Sequence, residues 1–313
     1  TCRNKKNQQQ SKDFFLYGRI IPMRIQNKTI LALLLILFVS ACSSAQPTAA
    51  PIPTNTIPAA TETLVPPTET PAPTSTPVPL LERAQYKLDT LIDYDAHSVT
   101  VTETIQYPNL TGNQLNTLVI AVVPNLWQDS FRLTSLSIDG TPTTTYSLAG
   151  QRLDIALSSF LPEGSIIEIG IQYTLALPFA EQEDPSVSRP RIYGYTSRQL
   201  NLTNWYPFVV PFINGEWILH EPWYYGEHLV YDAADYEVNV KFVPTDFTPI
   251  VAASGVAEPQ ADSTRYTITS ARTFALAASR EFQVSSTQVG DIAISSYYFP
   301  FNEAGGQAAL QTA

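Results

Sequence analysis

From Tyr86 to Tyr107 apolar side chains recur at every second position. Tyr86, Leu88, Thr90, Ile92 and Tyr94 form one alternating set, and Val99, Val101, Glu103, Ile105 and Tyr107 form another. Successive side chains of a strand point to opposite faces, so each set reads as one face of a half-buried strand. The short polar link "DAHS" makes the pair a hairpin, with His97 as a solvated turn residue. The texture continues through "NTLVIAVVP", "LTSLSIDG", "TTYSL", "RLDIAL" and "SIIEIGIQYTLAL", with turns at "IDG" and "PEG". A second series follows in "DYEVNVKFVP", "TPIVAAS", "TRYTITSA", "TFALAAS", "EFQVSST" and "IAISSYYF". No amphipathic helical period precedes residue 302. The expected fold class is all-β, a sandwich or saddle of two packed, mostly antiparallel sheets over residues 81–301. Residues 302–313, "NEAGGQAALQTA", read as the start of a helix.

The N-terminal quarter has a different physics. Arg24 and Lys28 precede ten consecutive apolar residues, Ile30 to Val39, and then Ser40-Ala41-Cys42. This is the layout of a bacterial signal peptide over residues 23–42. The run is short beside the roughly 20 residues that span a bilayer. Its ending resembles a lipobox, which implies lipidation at Cys42 and a lipid-anchored, extracytoplasmic protein of the bacterial cell envelope. Residues 1–22 precede the single methionine and read as a non-native upstream extension. Residues 45–79 hold ten Pro and nine Thr with only two charges. Such a segment has too little apolar surface to form a core, so 43–80 reads as a disordered, semi-rigid stalk.

Charge narrows the function classes. Residues 1–28 carry seven basic and one acidic residue, leaving eleven basic against 27 acidic in the remainder. An acidic surface repels phosphate backbones, which argues against nucleic acid as a partner. The two cysteines, Cys2 and Cys42, lie outside the strand-rich region, so no cysteine-based metal site or disulfide framework is expected there.

Ten of the 34 aromatic residues fall between 205 and 236, around "WILHEPWYYGEH". Three readings compete for this segment. A zinc site of the H-E-x-x-H kind fails, because Pro222 follows His220-Glu221 and Tyr224 stands where the second histidine belongs. An improvised site from His220 and His228 with Glu227 or Asp232 is a weaker form of the same idea. A binding platform for glycans or peptides would use Trp205, Trp217, Trp223, Tyr224 and Tyr225 as exposed rings. The favoured reading is packing: a long excursion between strands needs a small core of its own, and these rings, facing a neighbouring domain or not, supply it.

The order of several motifs resembles the N-terminal β domain of the membrane alanine aminopeptidase family, the M-one zinc metallopeptidases of the gluzincin clan. The carriers are "IQYPN", "LNTLVIAVVPN", "DAADYEVNVKFVP", Ser254-Gly255 and "ARTFALAASREFQV", spanning residues 83 to about 300. The resemblance implies a following catalytic domain with G-x-M-E-N to hold a substrate amine and H-E-x-x-H to bind zinc, whose bound water attacks a peptide carbonyl. Neither motif occurs in these 313 residues. The chain is therefore expected to be a non-catalytic fragment of a peptidase, with zinc, the catalytic domain and peptide substrates belonging to the complete protein. The family's substrate-binding Q-x-[EQ] segment maps onto "RQLNLTNWYP", which places Gln199 on the Gln and Asn201 on the acid or amide. Asn201 would deprive a substrate ammonium of an anionic partner there. The alternative from another class is an extracellular β-sandwich that recognises glycans or peptides through its aromatic segment.

Overall fold

A computed structural model describes residues 81–180, 192–222 and 227–313. Cys42, the signal peptide, the stalk and three of the aromatic residues, Trp223, Tyr224 and Tyr225, lie outside the described residues.

The first two strands are β1 (Gln85–Asp93) and β2 (Ser98–Pro108), joined as the expected hairpin. Every residue of both alternating sets is buried, Thr90 and Glu103 included. Then come β3 (Leu115–Ala121), β4 (Phe131–Ile138), β5 (Thr141–Pro142), β6 (Tyr146–Ala149), β7 (Arg152–Leu161) and β8 (Ile166–Ala176). The aromatic excursion contains only short pieces: β9 (Gly194–Tyr195), β10 (Leu200–Leu202), β11 (Phe208–Val209), β12 (Phe212–Ile213) and β13 (Glu216–Trp217). The closing series is β14 (Ala234–Phe242), β15 (Ile250–Ala253), β16 (Val256–Pro259), β17 (Thr264–Ala271), β18 (Leu276–Ser279), β19 (Gln283–Val289) and β20 (Ile292–Tyr298), followed by helix α1 (Glu303–Thr312).

The all-β, mostly antiparallel class read from the sequence holds. The described strands distribute over more than two sheets, however. An eight-stranded sheet has the order β16-β17-β14-β1-β2-β8-β4-β5. Two four-stranded sheets follow the orders β11-β3-β7-β6 and β15-β18-β10-β9, and β12-β13 and β19-β20 form two-stranded ribbons. In the large sheet β1 runs parallel to β14, with Gln85 opposite Asp235 and Ile92 opposite Phe242, while its other partner β2 is antiparallel. One face of this sheet supplies Leu88, Ile105, Ile169, Ile171 and Val238 to the core, and β3 and β7 add Leu118, Ile120, Leu153 and Ile155. Truncating such fully buried aliphatic side chains to alanine typically costs about 2–5 kcal/mol each.

His97 departs from the solvated turn residue expected of it. It adopts φ +51° at the hairpin tip, and its ring stacks on Tyr195 with centroids 3.5 Å apart and planes 5° apart. The stack partly buries the imidazole and lowers its pKa, against the opposing pull of Asp95 and Asp93.

Candidate functional site

Strand β10 positions Asn201, and the turn before it positions Gln199. Leu200 and Leu202 are buried, so period-two alternation turns the intervening Asn201 to the opposite face. There Asn201 lies opposite Gly194 on β9 and Ala277 on β18, and Ala277 lies opposite Ala252 on β15. A row of glycine and alanine leaves this face shallow, with Asn201 as its polar member. Gly194 has φ +127°, and a Cβ added there would come within 2.2 Å of the Pro178 carbonyl oxygen, so the position demands glycine.

Gln199 is set by a turn. The Thr196 amide donates to the Gln199 carbonyl at 2.8 Å, and the Thr196 hydroxyl accepts the Arg198 and Gln199 amides at 3.2 Å each. The Gln199 amide nitrogen then donates to Asn201 Oδ1 at 2.8 Å. The structure thus brings the two residues together as a half-buried amide pair. Gln199 borders a groove of about 500 Å3 whose other wall is Phe282, Tyr297 and Phe299 with Asn302 and Gly306 of the α1 region. Arg198 ties that wall to the sheet: it pairs with Glu281 at 3.0 Å and lies over the Phe301 ring at 4.7 Å. Helix α1 seats closely because Gly306 has no side chain; a Cβ there would meet the Tyr298 ring at 2.3 Å.

The described part of the aromatic segment packs largely inward. Trp205 requires correction as a ligand or interface residue: it is 0% exposed and presents no face to a partner. Its neighbour Tyr206 is also buried, its hydroxyl accepting the Phe274 amide at 3.0 Å, and its ring meets Tyr86 and Tyr236. Trp217 is half-buried in the β12-β13 ribbon, edge-on to Phe212 at 5.0 Å. His220 is exposed, and its carbonyl accepts from Gln151 Nε2 at 2.7 Å. Among the described residues no three histidine, cysteine or carboxylate side chains converge on a point, so the donor set there does not fit zinc.

Glu103 was legible as an inward-facing residue but carried no role in the sequence. It sits opposite Leu88 on β1 and Ile171 on β8, in the middle of the large sheet, and is fully buried. One row away, Val101 lies opposite Thr90 and Tyr173, placing those hydroxyls diagonally beside the carboxyl. Neither Glu103 oxygen nor the Tyr173 hydroxyl completes a well-formed hydrogen bond. Burial pushes the Glu103 pKa well up, with Tyr173 only partly opposing, which favours the neutral form of the carboxyl.

No known family's sequence model matches the chain, and no curated protein matches it. Solved structures do. An M1 zinc metallopeptidase variant from Deinococcus radiodurans, bound to a Tyr-Ser-Ala substrate, is 13% identical with a TM-score of 0.45, over 69% of this chain and 47% of that one. The M1 zinc metallopeptidase from Deinococcus radiodurans is 14% identical with a TM-score of 0.43, over 68% and 46%. A two-domain M1 zinc metallopeptidase variant bound to L-tryptophan is 14% identical with a TM-score of 0.43, over 69% and 48%. The chain spans about half the length of these proteins. No family membership follows from likenesses this low.

Proposed function

We propose that the chain is the non-catalytic β domain of a surface-anchored, zinc-dependent metallopeptidase of aminopeptidase type, tethered through Cys42, and that it shapes one wall of the substrate cleft in the complete protein. The observation that carries this reading is the apolar surface gathered on the last hairpin and the residues after it. Val284, Val289, Ile292, Tyr297 and Phe301 are all exposed, with Ile292 at 67% and Phe301 at 71%. Val284 lies opposite Tyr297 and Val289 opposite Ile292, so one pair faces each side of the ribbon; apolar exposure on both sides is what contact with a further domain would cover. Gln199, with Asn201 bonded to it, borders the groove beside Tyr297, where a docked domain would enclose it. The motif order from "IQYPN" to "ARTFALAASREFQV" gives independent support from the sequence. In this reading zinc and its activated water belong to polypeptide outside the described residues, and no step of the reaction is assigned to side chains of this chain. Gln199 and Asn201 would bind and orient the first residue of a peptide, with neutral amides in place of an acid.

Two measurements test the proposal. The chain supplied with one equivalent of zinc is expected to retain none after dialysis and to leave aminoacyl-p-nitroanilides intact. The coding sequence beyond residue 313 is expected to encode H-E-x-x-H, and the longer polypeptide to hydrolyse those substrates, with Gln199→Ala raising KM more than it lowers kcat. Hydrolysis by the 313-residue chain at one equivalent of metal, or a stop codon directly after residue 313, would overturn it.

A further inference from the structure

A second concavity shares no residue with the groove beside Gln199. It is a pocket of about 390 Å3 between the start of β1, the end of β2 and the segment leading into β14, within the size range of small-molecule sites. Its aromatic walls are pinned before any ligand arrives. The Tyr86 hydroxyl accepts the Val209 amide at 3.1 Å, Tyr236 donates to the Arg272 carbonyl at 3.3 Å, and Tyr231 donates to Asn204 Oδ1 at 2.6 Å. Phe208 lies against Tyr231, with centroids 4.6 Å apart.

Three residues that line the same pocket, Tyr107, Asp232 and Arg272, have uncommitted polar side chains. The Tyr107 hydroxyl, the Asp232 carboxylate and the Arg272 guanidinium have no side-chain hydrogen bond or ion pair among the described residues, and Asp232 and Arg272 do not pair with each other. Asp232 lies close enough to Tyr107 to raise its pKa, behind burial as the larger cause, and the walls raise that of Asp232 itself. Charge around the pocket is balanced. Glu82 and Asp232 face Arg83 and Arg272, and Arg83 is already engaged by Glu82 and Asp235. Neither a net cation nor a net anion is favoured by such a set.

We propose that this pocket binds a neutral sugar ring, its C–H face against the half-buried rings of Phe212 and Tyr231 and its hydroxyls shared among Tyr107, Asp232 and Arg272. A sugar hydroxyl donates and accepts at once, and the three groups supply an acceptor, a donor fork and a group that does both. A zwitterionic peptide would satisfy Asp232 and Arg272 but leave Tyr107 idle.

The test is calorimetric titration of the full chain with glucose, galactose, mannose, N-acetylglucosamine, maltose and cellobiose. At least one is expected to bind at a single site with an affinity insensitive to salt. Tyr107→Phe and Asp232→Ala are each expected to weaken binding about fivefold or more, the loss of roughly one net hydrogen bond, with unchanged denaturation midpoints. Tyr107→Phe removes only a hydroxyl, so it keeps the test valid if the second variant misfolds. Absence of binding by all six sugars, binding untouched by both substitutions, or salt-sensitive binding of glycylglycine in their place would each overturn the proposal.

Discussion

At the scale of single residues, Glu103 is where the fold and its chemistry conflict most openly. Its native pKa lies above the ordinary value of 4.5, so between the two values the native state holds one proton more than the unfolded chain. Stability from this group is fully present below the unfolded pKa and is lost as pH rises through the native one, at about 1.4 kcal/mol per pH unit inside the window. Urea midpoints are therefore expected to fall from pH 5 upward in the wild type, and Glu103→Gln to remove that component of the slope. A midpoint that climbs with pH equally in both proteins would show that the carboxyl is ionised in the fold. The alternation around Glu103 already placed it on the inner face; its surroundings were hidden, because the residues beside it come from β1 and β8.

The elements divide by length. Long strands such as β2 and β8 announced themselves, since eleven residues carry several periods of alternation. The two- and three-residue strands β9 to β13 have too few positions to show any period, and their geometry is imposed by the sheets they join. The parallel pairing of β1 with β14 was equally illegible, because register between strands so distant in sequence leaves no local trace. The candidate site shares this limit: the resemblance pointed to Gln199 and Asn201, but the alanine row beneath them depends on which strands flank β10. Gly194 gives this element a test. Gly194→Ala is expected to destabilise the protein by about 1–3 kcal/mol, since it forces a side chain into both a disfavoured φ and a backbone carbonyl. Gly164→Ala, also at positive φ but in open space, is expected to cost less when the two denaturation curves are compared.

For the whole molecule the decisive asymmetry is where the described apolar surface lies. The large sheet and its neighbours bury one aliphatic face and leave single residues such as Val256 and Phe160 exposed, whereas the β19-β20 ribbon and the turn before α1 expose Val284, Val289, Ile292, Tyr297 and Phe301 within one short stretch. Concentrated solutions of the chain are expected to self-associate through that end. Ile292→Ser combined with Val289→Ser is expected to restore a monomer in sedimentation velocity. Association unchanged by the pair would place the sticky surface elsewhere.

The seam between β1 and β14 has a consequence for how the chain reaches its shape. Asp89 and Asn239, bonded side by side through their side chains at 2.7 Å, are separated by 150 residues. A growing polypeptide therefore presents β1 with one flank bare until β14 has emerged. Until that late arrival, the nascent hairpin is a docking edge for any passing strand, and its guardian is the row of Gln85, Lys87 and Asp89 on its wet side.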